Sequence, residues 1–188
     1  MKKIFLLLSL CCWSVIAYSQ QNNEVNYLGV VQLQNNEVVE GKITIDFEKQ
    51  LVVVHSETNI EESLHTFYSV QHLWFYDHIK QVRREFVKTQ QNLFEVVLQG
   101  EVSLLRKYLH NTTLSSTHQD NQYYLATQQG ELVALKDLPL QMNKVFEDNA
   151  NLIQKMIEVK KYSLTDLQNI ATLIRYHNQC KAKIIAQR

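Results

Sequence analysis

Glycine, proline and cysteine are all scarce in this chain: four, one and three residues of 188. Gly29, Gly41, Gly100 and Gly130 stand isolated, which excludes the glycine-rich loops that cradle phosphates and the G-x-S-x-G nucleophile elbow. Two of the cysteines, Cys11 and Cys12, sit in an N-terminal apolar run, so the rest of the chain holds only Cys180. That excludes an internal disulfide there, and a cysteine pair for structural zinc. His-Glu-x-x-His and His-x-His are absent as well. An excess of one charge is also missing, with 19 basic residues against 19 acidic. Such a chain has no strong field to draw nucleic acid or an anionic membrane.

What is present begins with a leader. Lys2 and Lys3 precede the apolar Ile4 to Trp13, and Ala17-Tyr18-Ser19 puts small residues where signal peptidase reads. The expectation is a signal peptide over residues 1–19 and a chain that is secreted or periplasmic after cleavage near Ser19. A lipid anchor is disfavoured, because Leu10 and Cys11, rather than a small residue, precede the two cysteines. The apolar run is shorter than the ~20 residues of a membrane span, and no second one follows, so no transmembrane segment is expected in the mature chain. Losing Lys2 and Lys3 leaves 17 basic residues against 19 acidic, a net charge near −2. About 170 residues remain, enough for one compact domain stabilised by its core. Cys180 reads as a small buried helix residue, with pairing to a partner as the alternative.

Residues 20–137 read as β. Tyr27–Leu33 and Glu37–Ile45 flank a Gln34-Asn35-Asn36 turn, and Ile43, Ile45 and Phe47 alternate with polar residues at the period of a half-buried strand. Leu51–Val54, with three consecutive valines, reads as a strand covered on both faces. Ser56–Ser63 reads as a loop, Ser69–His72 as a turn, and Leu73–Asp77 and Arg83–Lys88 as paired strands. Two hairpins follow, turning at Gln99-Gly100 and Gln128-Gln129-Gly130, where glycine supplies positive φ at no steric cost. Between them the polar 110–122 stretch reads as a mobile loop.

Residues 138–188 read as helical. Val145, Phe146, Asn149, Leu152, Ile153, Met156 and Ile157 recur at helical spacing. Ser163 is expected to open a second helix, with Asp166 in the capping-box position. Leu164, Leu167, Ile170, Ile174 and His177 form its stripe, and Lys181, Lys183 and Arg188 complement its C-terminal dipole. The expected fold is α+β: an antiparallel β-sheet or small open barrel, followed by a C-terminal helical hairpin packed on it. A stripe docked instead on a partner or a membrane predicts that truncation after Tyr162 leaves a folded β domain.

Chemistry-bearing residues are scattered. The seven histidines show no ligand spacing, so no metal or cofactor is expected. Glu61-Glu62 and Glu147-Asp148 are adjacent acids, which is not the geometry of a glycosidase pair. Arg83-Arg84 is too small a basic spot for nucleic acid. Asn111-Thr112-Thr113 matches a glycosylation sequon, relevant only to eukaryotic export. The candidate binding surface is Trp74 and Tyr76, which share one strand face, with His72 and His78 flanking them. Phe75 takes the opposite face, and burial of both faces is the competing reading.

Several motifs resemble those of a loose group of uncharacterised secreted proteins from Bacteroidetes-type Gram-negative bacteria. These are the leader ending Tyr18-Ser19-Gln20, Gly29-x-Val31-x-Leu33 with Gly41-Lys42-Ile43, and Tyr68-Ser69-Val70 with Leu73-x-Phe75. Phe94-Glu95-Val96-Val97-Leu98-x-Gly100-Glu101-Val102-Ser103-Leu104-Leu105 and Ile174-Arg175-Tyr176-His177-Asn178 complete the set. The resemblance implies secretion and transfers no activity or site residue. The expected function is an exported, non-enzymatic binding or envelope-assembly module, its partner a protein or an envelope polymer. The alternative is a small hydrolase of envelope or extracellular polymer.

Overall fold

The computed structural model describes residues 27–56, 62–109 and 121–186, the last four of these by backbone alone. The leader with Cys11 and Cys12, Glu61, the sequon and most of the 110–122 stretch lie outside the described residues. Among the described residues ten strands form one open antiparallel sheet: β1 Tyr27–Leu33, β2 Val38–Asp46, β3 Leu51–His55, β4 Glu62–Thr66, β5 Val70–Asp77, β6 Val82–Thr89, β7 Asn92–Leu98, β8 Ser103–Tyr108, β9 Asn121–Ala126 and β10 Leu132–Ala134. Three α-helices follow: α1 Leu138–Phe146, α2 Ala150–Lys160 and α3 Leu167–Ala186. The spatial order is β10-β9-β8-β7-β6-β5-β1-β2-β3-β4. Two meanders therefore meet where β1 pairs with β5, in addition to its hairpin partner β2. The fold is α+β, as the residue patterns imply.

Alternation decides which side chains go inside. In β1, Tyr27, Gly29, Val31 and Leu33 are buried while Leu28 is exposed. In β5, Val70, Leu73, Phe75 and Asp77 are buried. Val70 and Leu73 have opposite parity, and a bulge reconciles them: Gln32 faces His72 while Leu33 faces Val70, leaving Gln71 as the extra residue. The inner face carries Ile43, Val52, Val54, Leu73, Phe75 and Phe86, each fully buried. The sheet curls far enough that Phe47, in the β2–β3 turn, stacks on Tyr108 of β8 at 4.4 Å between ring centroids.

The helices cover the other end of that face. Leu104, Leu125 and Val133 from the sheet pack with Leu138, Phe146, Ile153, Ile170, Leu173 and Ile174. Pro139 sits in the first turn of α1, where its missing N–H costs nothing. Among the described residues no helix is long and apolar enough to cross a membrane.

The structure corrects several local expectations. Glu62–Thr66, within and beyond the expected loop, is edge strand β4, paired with β3 from His55 opposite Glu62 to Leu51 opposite Thr66. The valine-rich β3 buries one face, with Val52 and Val54 inside and Val53 half-exposed. The turn before β5 ends at Ser69, three residues earlier than the expected Ser69–His72 turn, so β5 starts at Val70 rather than Leu73. The first helical stretch is broken at Glu147, whose φ of 43° lies in the left-handed region, so the described C-terminal region holds three α-helices rather than a hairpin. Leu152, placed in the apolar stripe, is 48% exposed. Ser163 does not cap α3: Asp166 Oδ1 accepts the Gln168 N–H at 2.8 Å, and Ser163 Oγ accepts the Thr165 N–H one turn earlier. Lys181 lies within α3 and pairs with Glu147 (3.1 Å) and Asp148 (3.8 Å) instead of the helix end. Cys180 is a free, half-buried thiol.

The two hairpin glycines serve different needs. Gly130 has φ +79°, the left-handed conformation its turn requires. Gly100 is not left-handed. A Cβ there would stand 1.9 Å from Asn178 Nδ2 on α3. Asn178 Oδ1 accepts the Val102 N–H and its Nδ2 donates to the Val102 carbonyl, both at 3.0 Å. The missing side chain lets α3 clamp the β7–β8 turn.

Candidate functional site

The β5–β6 hairpin puts two sets of functional side chains on opposite faces. On the outer face, Trp74 lies opposite Val30 of β1 and Glu85 of β6, and His72 lies opposite Gln32 and Val87. Continuing that register places Leu28 beside Tyr76. Leu28 is 56% and Tyr76 42% exposed, while Trp74 is half-buried. The Arg83 guanidinium sits over the Trp74 ring, 4.4 Å from its centroid, a cation–π contact. His72 Nε2 lies 2.8 Å from Glu85 Oε1. His78 packs edge-on against Tyr76 with centroids 5.0 Å apart. The four expected residues thus share one region but do not converge on one point. His72 is engaged by Glu85, Trp74 by Arg83, and Asp77, next to His78, points inward. Burial of both faces does not occur: Phe75 is fully buried and Tyr76 is not.

On the inner face lies a charged cluster that the strand patterns did not single out. Asp77, Arg84, Glu95 and Arg106 are buried, and Tyr108 is 5% exposed. Arg84 grips Glu95 with two hydrogen bonds, Nε to Oε1 at 2.8 Å and Nη2 to Oε2 at 2.9 Å. Arg106 Nε donates to the same Oε2 at 2.7 Å, and so does the Tyr108 hydroxyl at 2.7 Å. Arg84 also reaches the Tyr108 hydroxyl and, at 3.5 Å, Asp77 Oδ2. Asp77 Oδ1 accepts the Ile79 and Lys80 N–H groups of the β5–β6 turn. Two cations and two anions therefore neutralise one another across four adjacent strands.

Electrostatics follow from that pairing. Burial alone would raise the Glu95 carboxyl, but the hydrogen bonds and charge of Arg84, with the charge of Arg106, hold it below the usual carboxylate range. Burial would lower the Arg84 guanidinium, and Glu95 outweighs it, so Arg84 stays cationic. Burial and the adjacent Glu95 charge push the Tyr108 hydroxyl upward. A carboxyl so held is no proton donor near neutral pH. The cluster is arranged to stay charged and paired. Beside Tyr108, Phe47, Phe67, Leu93, Gln50 and Asn92 help line a cavity of about 80 Å³, room for a few waters or one small apolar group.

No group of three or more His, Cys, Asp or Glu among the described residues could hold a metal ion. His65 bonds Ser63 Oγ at 3.1 Å and His55 pairs with Glu62 at 3.3 Å, both at the β3–β4 edge. His177 is 2% exposed on α3, edge-on to Phe146, with Asn149 Nδ2 donating to its Nδ1 at 3.2 Å. Burial, followed by the nearby Lys181 charge, lowers its pKa, against the weaker pull of Glu101 and Glu147. The folded chain thus takes up this proton less readily than the unfolded chain, which does so near pH ~6.5. Stability is complete above that pH and is lost as pH falls below it. Urea unfolding between pH 7.5 and 5 is expected to show this slope, and His177→Gln to flatten it; an unchanged slope in the variant would rule His177 out.

The charged cluster had one legible signal. Arg84 shares parity with Phe86, Glu95 with Leu93, and Arg106 with Leu104 and Tyr108. Charges on the apolar phase of three successive strands point inward. Searches by family model, against curated proteins and against solved structures found nothing that matches this chain.

Proposed function

We propose that the chain is an exported, non-enzymatic binding or envelope-assembly module that engages a protein partner through the outer face of β5 and β1. The observation that carries this reading is the pair Leu28 and Tyr76, exposed beside Trp74 on a sheet whose inner face is filled. Trp, Tyr and Arg are the residue types that dominate binding hot spots, and Trp74, Tyr76 and Arg83 stand together there. The buried acids support a binding role over hydrolysis, since Asp77 and Glu95 are each engaged by arginine. Export rests on the 1–19 leader.

The test is site-specific photo-crosslinking in cells that express the full chain. A crosslinker at Tyr76 is expected to give a discrete adduct in the envelope or medium, and one at Val159, 68% exposed on α2, none. Trp74→Ala should remove the adduct without changing the circular dichroism spectrum, and the exported chain should begin at Gln20. Equal labelling from both positions, or none from Tyr76, would defeat the reading.

A further inference from the structure

A second feature lies at the opposite end of the strands from the β5–β6 turn. Gln34 of the β1–β2 turn, Gln71 of β5, Lys88 of β6 and Gln90 of the β6–β7 turn line an open groove of about 360 Å³. Gln71 is the bulged residue of β5, and a bulge re-aims a side chain that regular pairing would place elsewhere. Gln90 has φ 58°, a left-handed position that favours glycine, yet it carries a long amide. Gln34, Gln71 and Gln90 are exposed, and among the described residues no protein group bonds their side-chain amides, which leaves them open to solvent or a ligand. Lys88, by contrast, is held in place: its Nζ donates to the Tyr68 carbonyl at 2.8 Å and sits 4.1 Å from the Tyr68 ring centroid. Among the described residues no carboxylate lines the groove.

Three amides offer donors and acceptors together, and sugar hydroxyls need both. The fixed ammonium is a point charge that suits an anionic oxygen. An open groove lined by polar groups does not suit an apolar ligand. From this we infer that the groove binds a carboxylated saccharide, with Lys88 on the uronate carboxylate, Gln34, Gln71 and Gln90 on hydroxyls, and Tyr68 positioning Lys88. The site is separate from the Trp74 surface, and either can fail without the other.

The experiment is a titration of the purified protein with trigalacturonate and, separately, with neutral maltotriose, read by NMR on the glutamine side-chain amides. Trigalacturonate is expected to shift the resonances of Gln34, Gln71 and Gln90 with millimolar or tighter affinity, and maltotriose to bind at least tenfold more weakly. Lys88→Met, which keeps the stem and removes the charge, should cost at least about tenfold, the usual scale for a charge-assisted contact. Gln90→Gly should weaken binding while leaving the fold intact, since its turn favours glycine. Trp74→Ala should bind as the parent does. The proposal is overturned if neither sugar binds, if both bind equally, or if the shifts fall around Trp74. It is also overturned if sodium acetate reproduces the shifts, or if Lys88→Met binds unchanged.

Discussion

Replacing Glu95 with alanine is expected to lower the unfolding free energy by about 3–5 kcal/mol, the cost of breaking a buried ion pair by removing one partner. Glu95 is the shared acceptor of the cluster: Arg84, Arg106 and Tyr108 all donate to its carboxylate. Without it, two guanidinium groups remain in the sheet interior with Asp77, 3.5 Å from Arg84, as the acid in reach. For a chain of this size the corresponding fall in Tm is about 6–20 °C. Glu95→Gln keeps the size but not the charge, and is expected to cost nearly as much. If the glutamine variant regains most of the stability, hydrogen bonding rather than charge holds the strands together. Arg106→Met should cost less than Arg84→Met, because the Arg106 side chain is 11% exposed and that of Arg84 2%. Urea unfolding at constant m-value separates these outcomes. The sign with pH follows from the lowered carboxyl: its contribution is complete above the ordinary carboxylate range and is lost as pH falls through the folded value.

Much of this fold is written locally, and the parts that are not have identifiable causes. Tyr27–Leu33 reads as a strand because its alternate residues are large and apolar, and it folds as one with those residues inside. Glu62–Thr66 has no such alternation. Its one large apolar residue, Leu64, is 64% exposed, and the segment becomes a strand because β3 offers it a backbone edge. The pairing of β1 with β5 joins segments about forty residues apart in sequence, and nothing within either announces it. Ser163 and Asp166 are both good caps, and the choice between them is made where α3 docks. The outer row of Trp74 and Tyr76 follows from parity within one strand. The Arg84–Glu95–Arg106 cluster needs three strands in register before its charges meet. Its residues are individually ordinary, and all three are buried in the sheet.

Ending the chain after Tyr162 is expected to abolish cooperative folding rather than leave a trimmed β domain. An amphipathic helix docked on some other molecule would be dispensable, but the stripe of α3 is already covered from within. Ile170, Leu173 and Ile174 are fully buried against Leu104, Leu125 and Val133 of the sheet and against Phe146 and Ile153 of the preceding helices. Burying an aliphatic side chain contributes roughly 1.5–3 kcal/mol, so these three alone supply about 5–9 kcal/mol. That approaches the whole net stability of a typical domain, about 5–15 kcal/mol. The truncation also strips the Asn178 clamp from both backbone groups of Val102, at the turn that starts β8. Leu173→Ala offers a graded version, with an expected cost of about 2–5 kcal/mol. A truncated chain that stayed monomeric, with a sharp urea transition and the parent's near-ultraviolet spectrum, would show that β8, β9 and β10 hold without α3. The expected result is a broad transition and exposed apolar surface that binds a hydrophobic dye, because Leu104, Leu125 and Val133 keep only the cover of α1 and α2 once Ile170, Leu173 and Ile174 are gone.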